Sequence, residues 1–204
     1  MRSRGTRGRV PRAAALAWAC ALALAVGPRA GHGYVDGPPP AHTGGFGEPT
    51  CAACHLGAAV GSPGGSLQVT APATFTPGGE HAVEVRLVRA GMRRAGFQLS
   101  ARFADGALAG KQAGELIAAE PPEPPVQLVA AHAVSYAGHT PATTEAIEDG
   151  TARWRLRWRA PASAAASAVV FHAAANAADY DDSELGDRVY VASATSRPAG
   201  STAR

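Results

Sequence analysis

Hydrophobic and polar residues alternate along Ala82-Val83-Glu84-Val85-Arg86-Leu87-Val88, with Val83, Val85 and Leu87 on one side and Glu84 and Arg86 on the other. A period of two is the mark of a strand with one face buried. The turn-forming Pro77-Gly78-Gly79 precedes it. Gly96-Phe97-Gln98-Leu99-Ser100-Ala101-Arg102-Phe103 alternates in the same way and stops at Asp105-Gly106. The clearest strand is Arg153-Trp154-Arg155-Leu156-Arg157-Trp158-Arg159, where Trp154, Leu156 and Trp158 face inward and four arginines face outward. Shorter strands are expected near Leu116-Ile117 and over Val126 to Val129, on either side of Pro121-Pro122-Glu123-Pro124-Pro125. Ala168 to Ala175 and Arg188 to Ala194 complete the set. Many short strands, frequent turns and no long amphipathic helix predict an all-β chain: an antiparallel, immunoglobulin-like β-sandwich over residues 66–195.

The amino-terminal third is different. Arg2, Arg4, Arg7, Arg9 and Arg12 precede an apolar run from Ala13 to Val26, and small residues follow around Ala30 and Gly33. That order is the layout of a secretory signal peptide, assigned to residues 1–33 with cleavage after Ala30 or Gly33. The apolar run is short and alanine-rich for a membrane span. Cys20 lies within it, without the small residues that should precede a lipidated cysteine. This segment changes the meaning of the net charge. The chain is +3 overall, but six of its nineteen basic residues lie before position 34, leaving thirteen against sixteen acids, net −3. The basic balance is therefore no argument for a nucleic-acid partner. No later stretch is apolar enough to cross a membrane, so a soluble periplasmic, secreted or surface protein is expected. A polar tail is expected from Ser196 to Arg204.

Between signal and sandwich, residues 34–65 carry no periodicity but do carry a motif: Cys51-Ala52-Ala53-Cys54-His55. In an exported chain Cys-x-x-Cys-His reads as a c-type haem attachment site. Two thiols three positions apart can each add to a porphyrin vinyl group, and the next residue is then placed to bind iron from below. Cys51 and Cys54 are thus the expected covalent anchors of one haem c, and His55 the proximal ligand. The motif's cysteines are the only two beyond the signal. A zinc site would need further ligands, and no second Cys-x-x-Cys exists. A thioredoxin-like dithiol should open a helix after a strand, whereas Gly45-Phe46-Gly47-Glu48-Pro49 and Gly61-Ser62-Pro63-Gly64-Gly65 flank this one. A plain Cys51–Cys54 disulfide remains the alternative. The segment itself is read as an irregular arm that wraps a cofactor or lies across the main domain.

The sixth iron position needs His, Met, water or nothing. His139, in Tyr136-Ala137-Gly138-His139-Thr140-Pro141, is the preferred distal ligand, because a loop fixed by Gly and Pro can reach across a cofactor. Hydrogen bonding within a turn is its structural alternative. His42, nine residues before Cys51 in the same arm, is the second candidate. His172 reads as a surface or packed strand residue and Met92 as an exposed loop residue, while His81 and His132 have no distinguishing context. The arginine row at 153–159 reads as a solvated sheet face. Asp179, Asp181, Asp182, Glu184 and Asp187 form an acidic loop without EF-hand spacing, read as solvated rather than calcium-binding. No catalytic triad, phosphate loop or carboxylate pair is present, so an electron carrier or binding protein is expected rather than an enzyme.

Gly96-Phe97-Gln98-Leu99, Gly138-His139-Thr140, Trp158-Arg159-Ala160-Pro161 and Val170-Phe171-His172-Ala173-Ala174-Ala175-Asn176 follow one another in an order that resembles the Reeler-type β-sandwich domain. The likeness extends over about residues 37–195. It is greatest to the exported bacterial form called the choice-of-anchor V domain, in which a Thr-Gly-rich arm with Cys-x-x-Cys-His precedes the sandwich. Here that arm is Thr43-Gly44-Gly45-Phe46-Gly47-Glu48-Pro49-Thr50-Cys51. The resemblance implies an exported, often surface-associated protein. Together the motif and the resemblance lead to the expectation of a monohaem protein for electron transfer or haem-based sensing, with other exported redox proteins as partners. The alternative is an extracellular binding or adhesion module.

Overall fold

The computed structural model describes residues 34–145, 147–163, 167–181, 183 and 185–200. The expected signal, with Cys20, and the end of the tail lie outside them. Among the described residues the strands are β1 (Gly65–Thr70), β2 (Thr74–Phe75), β3 (Glu80–Arg89), β4 (Arg94–Phe103), β5 (Glu115–Ala118), β6 (Gln127–Ala131), β7 (Val134–Gly138), β8 (Ile147–Glu148), β9 (Thr151–Arg159), β10 (Val169–Ala178) and β11 (Arg188–Pro198); β3, β4, β5, β6, β9, β10 and β11 fall on the stretches expected to form strands, and β1, β2 and β8 are additional. A one-turn helix, α1, spans Pro141–Thr144. The last strand runs three residues past the expected boundary at 195.

One sheet runs β1-β3-β9-β5, with β8 also on β9; the other runs β2-β11-β10-β4-β7-β6. Pairing is antiparallel except between β11 and β2. The register puts Val83 opposite Leu156 and Val85 opposite Trp154, so the apolar positions of β3 and β9 fall on one face. They meet the inner face of the second sheet: Phe97 stacks on Trp154 with centroids 4.5 Å apart, and Phe171 meets Trp158 edge-on at 5.1 Å. Trp158 also gives its Nε1–H to the Ala113 carbonyl at 2.9 Å, which pairs the indole's polar end inside the core. The molecule is thus an all-β sandwich, as the alternation predicts.

The solvated face of the first sheet carries the arginine row. Arg155 pairs with Glu84 and Glu123, Arg157 with Glu80, and Arg159 with Glu80 and Glu115. Acidic side chains from β3, β5 and the proline-rich turn therefore neutralise most of the stripe, in keeping with the solvated-face reading.

The outer face of the second sheet behaves differently. Gln98, Ser100 and Arg102 on β4 and Ala174 and Asn176 on β10 point away from the core, yet all are buried. What covers them is the arm. Gln98 accepts from the His42 backbone N–H at 2.6 Å and gives its amide to the Pro39 carbonyl at 2.8 Å. The arm is therefore an ordered layer docked on the sheet. A sheet face that alternation marks as solvated becomes an interior surface, and Gln98 finds its partners in the arm's backbone while Arg102 and Asn176 find theirs in the side chains of Glu48 and His55.

Candidate functional site

The arm is held upstream of its motif by a buried ion pair. The Glu48 carboxylate accepts from Arg102, from the Tyr136 hydroxyl at 2.5 Å and from the Thr43 hydroxyl at 2.5 Å. Arg102 also donates to the Tyr136 hydroxyl. Phe46 packs edge-on against His172 at 5.5 Å. Gly45 is required there, since a Cβ would lie 2.4 Å from the His172 ring. His172 is half-buried under the arm, which agrees with its reading as a packed strand residue.

From this anchor the chain enters a 3₁₀ turn over Cys51–Ala53. The Thr50 hydroxyl caps it by accepting from the Ala52 N–H at 3.2 Å. The Cys51 carbonyl then accepts from both Cys54 and His55. Residues three apart eclipse in a 3₁₀ turn, which brings Cys51 and Cys54 to one side. Both thiols are free and line the same cleft. Burial pushes the Cys51 thiol up to about 12, so it is neutral at physiological pH. That is the reverse of the depressed pKa of a reactive dithiol.

His55 follows directly and turns its ring to the sandwich. Its Nδ1 lies 2.6 Å from Asp187 Oδ2 at the start of β11. The Asn176 amide, on β10, donates to the same carboxylate oxygen at 2.9 Å and lies 3.0 Å from His55 Nδ1. A carboxylate can only accept, so Nδ1 carries a hydrogen, and in the neutral ring it is Nε2 that presents the lone pair. No described residue bonds Nε2. This is the tautomer that a metal-binding histidine needs. Asp187 is 4% exposed, which corrects its placement in a solvated acidic loop. The loop turns inward at Asp187 because β11 begins there, beside Asn176. Asp182 and Glu184 lie outside the described residues.

Cys51, Cys54 and His55 open onto a cleft that is continuous with solvent and walled mainly by apolar atoms, among them Val35, Pro38, Pro39, Ala95 and Ala178. Both distal candidates line it as well. His139 does not sit in a free loop: β7 runs through Gly138, and His139 is the next residue. Its ring lies flat against Gly96 of β4, where a Cβ would come within 2.7 Å of Cε1. Nδ1 accepts from the Phe97 N–H at 3.1 Å, and Nε2 lies 2.8 Å from the Tyr34 carbonyl. Burial lowers its pKa, partly opposed by those backbone contacts, so the imidazole is neutral. His42 is held by Nδ1 donating towards the Pro39 and Pro40 carbonyls at 3.1 and 3.0 Å. Its Nε2 has no partner among the described residues.

The remaining candidates are elsewhere. Met92, expected in an exposed turn, is 6% exposed and belongs to the core, so it is not available to a cofactor. It sits in the connection between β3 and β4, and its side chain joins the buried apolar core. His81 lies against Trp158 on the first sheet, and His132 is exposed in the β6–β7 turn. Among the described residues no three His, Cys, Asp or Glu side chains are grouped to hold a bare metal ion, and no helix is long and apolar enough to cross a membrane.

Fold and site together define an all-β sandwich whose second sheet carries a docked Cys-x-x-Cys-His arm beside an apolar cleft. Compared with models of known families and with curated proteins, the chain matches none.

Proposed function

We propose that this chain is an exported monohaem c-type protein, built on a Reeler-like sandwich and working in electron transfer. The observation that carries this reading is one cleft lined at once by two free thiols and by a histidine whose Nδ1 is tied down and whose Nε2 is open. The residues fit the group: Cys51 and Cys54 present sulfur on one side of a capped turn, His55 presents nitrogen, and the apolar walls suit a porphyrin face. Haem bound there supplies a one-electron couple. The protein's part is to hold it rigidly, and the Glu48–Arg102 anchor and the His55–Asp187 contact do that from opposite ends of the motif.

His139 is the distal ligand we assign. It is buried and neutral, and its ring is held by the sandwich at Phe97 as well as by the arm at Tyr34. To present Nε2 it must release the Tyr34 carbonyl, give up the bond from the Phe97 N–H and carry its hydrogen on Nδ1, where the Phe97 carbonyl is 3.4 Å away to accept it. His42 supports a second reading of this position, because its Nε2 is already free.

The test is a pyridine haemochrome spectrum of protein exported from a host that matures c-type cytochromes. An α-band at the position for two saturated thioethers is expected, and Cys51→Ala should abolish full covalent attachment. Haem-free protein from a host that matures a control cytochrome would overturn the reading and leave a binding module. His139→Ala should convert a low-spin spectrum to high-spin. If His42→Ala does so instead, the ligand is His42.

A further inference from the structure

Asp187 is a buried carboxylate in an unusual position. Its Oδ2 serves His55 and Asn176, and its Oδ1 has no hydrogen-bond partner. The Asn176 Oδ1 beside it is likewise buried and unpaired. A charge placed so is costly unless positive charge lies close by. Of the two side chains that reach the carboxylate, His55 and Asn176, only the His55 ring can convey such charge; Arg188 meets the Asp187 backbone carbonyl at 3.1 Å, not the carboxylate. A backbone carbonyl would orient His55 Nδ1–H equally well, without that cost. The carboxylate therefore does something a neutral acceptor would not.

We propose that Asp187 is a positioning and charge-setting residue for the iron ligand: through His55 it favours the oxidised haem and holds the couple at low potential. The inference rests on the haem reading above. A carboxylate on Nδ1–H makes the imidazole a stronger electron donor at Nε2. The ferric centre carries one positive charge more than the ferrous, so a nearby buried anion stabilises it selectively. Reduction adds one electron and, in this account, no proton. Asn176 fixes the carboxylate by donating to Oδ2, so the anion cannot swing out to water. The role suits a carrier that delivers electrons at low potential rather than one that collects them at high potential.

The experiment is mediated potentiometric titration of the haem-loaded protein and of Asp187→Asn, with the haemochrome spectrum taken on each sample. The amide keeps the shape and an acceptor for His55 but removes the charge. With haem content retained, the midpoint potential should rise in D187N. In the ferrous state of a variant lacking the distal ligand, the iron–histidine stretching frequency should fall, which a merely structural role would not produce. Full haem loading with an unchanged or lower potential overturns the inference while leaving the haem reading intact. Absence of covalent haem in the unmutated protein overturns both. If D187N does not load haem, Asn176→Ala decides: it keeps the charge but frees it to be solvated, and the potential should rise by a smaller amount, an unchanged value refuting the proposal.

Discussion

Glu48→Ala removes one partner of the ion pair that docks the arm, and the structure sets the size of the effect. The Arg102 and Glu48 side chains are 8% and 10% exposed, so neither is rescued by water. In the variant Arg102 is left as a buried charge, and the hydroxyls of Thr43 and Tyr136 lose an acceptor. Breaking a buried pair by deleting one member costs about 3–5 kcal/mol. For a domain of this size each kcal/mol moves the melting temperature by about 2–4 °C. If arm and sandwich unfold together, the melt should fall by roughly 6–20 °C. If the arm leaves first, its release is the cheaper event and caps the global loss. Proteolysis and hydrogen exchange over residues 34–65 should then rise sharply while the sandwich strands stay protected. Scanning calorimetry with exchange mass spectrometry separates the two cases. Glu48→Gln, which keeps acceptor and shape, should fall between parent and alanine variant. A Glu48→Ala protein that melts within about 1 °C of the parent, with its arm equally protected, would refute the view that this pair fixes the motif on the sheet.

Gly96→Ala should push the His139 ring from its seat, since the new Cβ would stand 2.7 Å from Cε1; a loss of about 1–3 kcal/mol and an altered spin-state spectrum are expected, and normal values for both would show the contact to be yielding. Trp158→Phe leaves the Ala113 carbonyl unpaired in the core and should cost about 1–3 kcal/mol in urea unfolding, with less than about 0.5 kcal/mol counting against the hydrogen bond. Burial, with the Arg102 charge second, lowers the His172 pKa below its usual 6.5. The unfolded chain therefore takes up that proton first, so this contribution to stability is present above about pH 6.5, drains away as the pH falls below it and levels off beneath the native value. His172→Gln should flatten that part of the haem-free protein's stability–pH curve; an identical curve would show that His172 does not contribute.

The longer strands and the motif are legible in the chain alone. Alternation over Ala82–Val88, Gly96–Phe103 and Arg153–Arg159 places apolar side chains on one face whatever the partner strand, because successive residues of any strand point oppositely. Cys51, Cys54 and His55 are close in the chain, so a single short turn is enough to gather them. The two-residue strands β2 and β8 are too short for any period to show. Tertiary structure alone decided what lies against the motif. Asp187 is 132 positions from His55, and in the sequence it looks like one acid of a solvated loop. Asn176 interrupts an alanine-rich strand on the face away from Phe171, a local sign of a polar partner. Glu48, Arg102 and Tyr136 meet only because the arm folds back on the second sheet. Met92 is buried, although its neighbours form a turn. Hydrophobic pattern reports which residues leave water, but not which polar side chains follow them inside. That depends on donors and acceptors brought together from distant strands, and here those pairings, rather than the periodicity, build the cleft around His55.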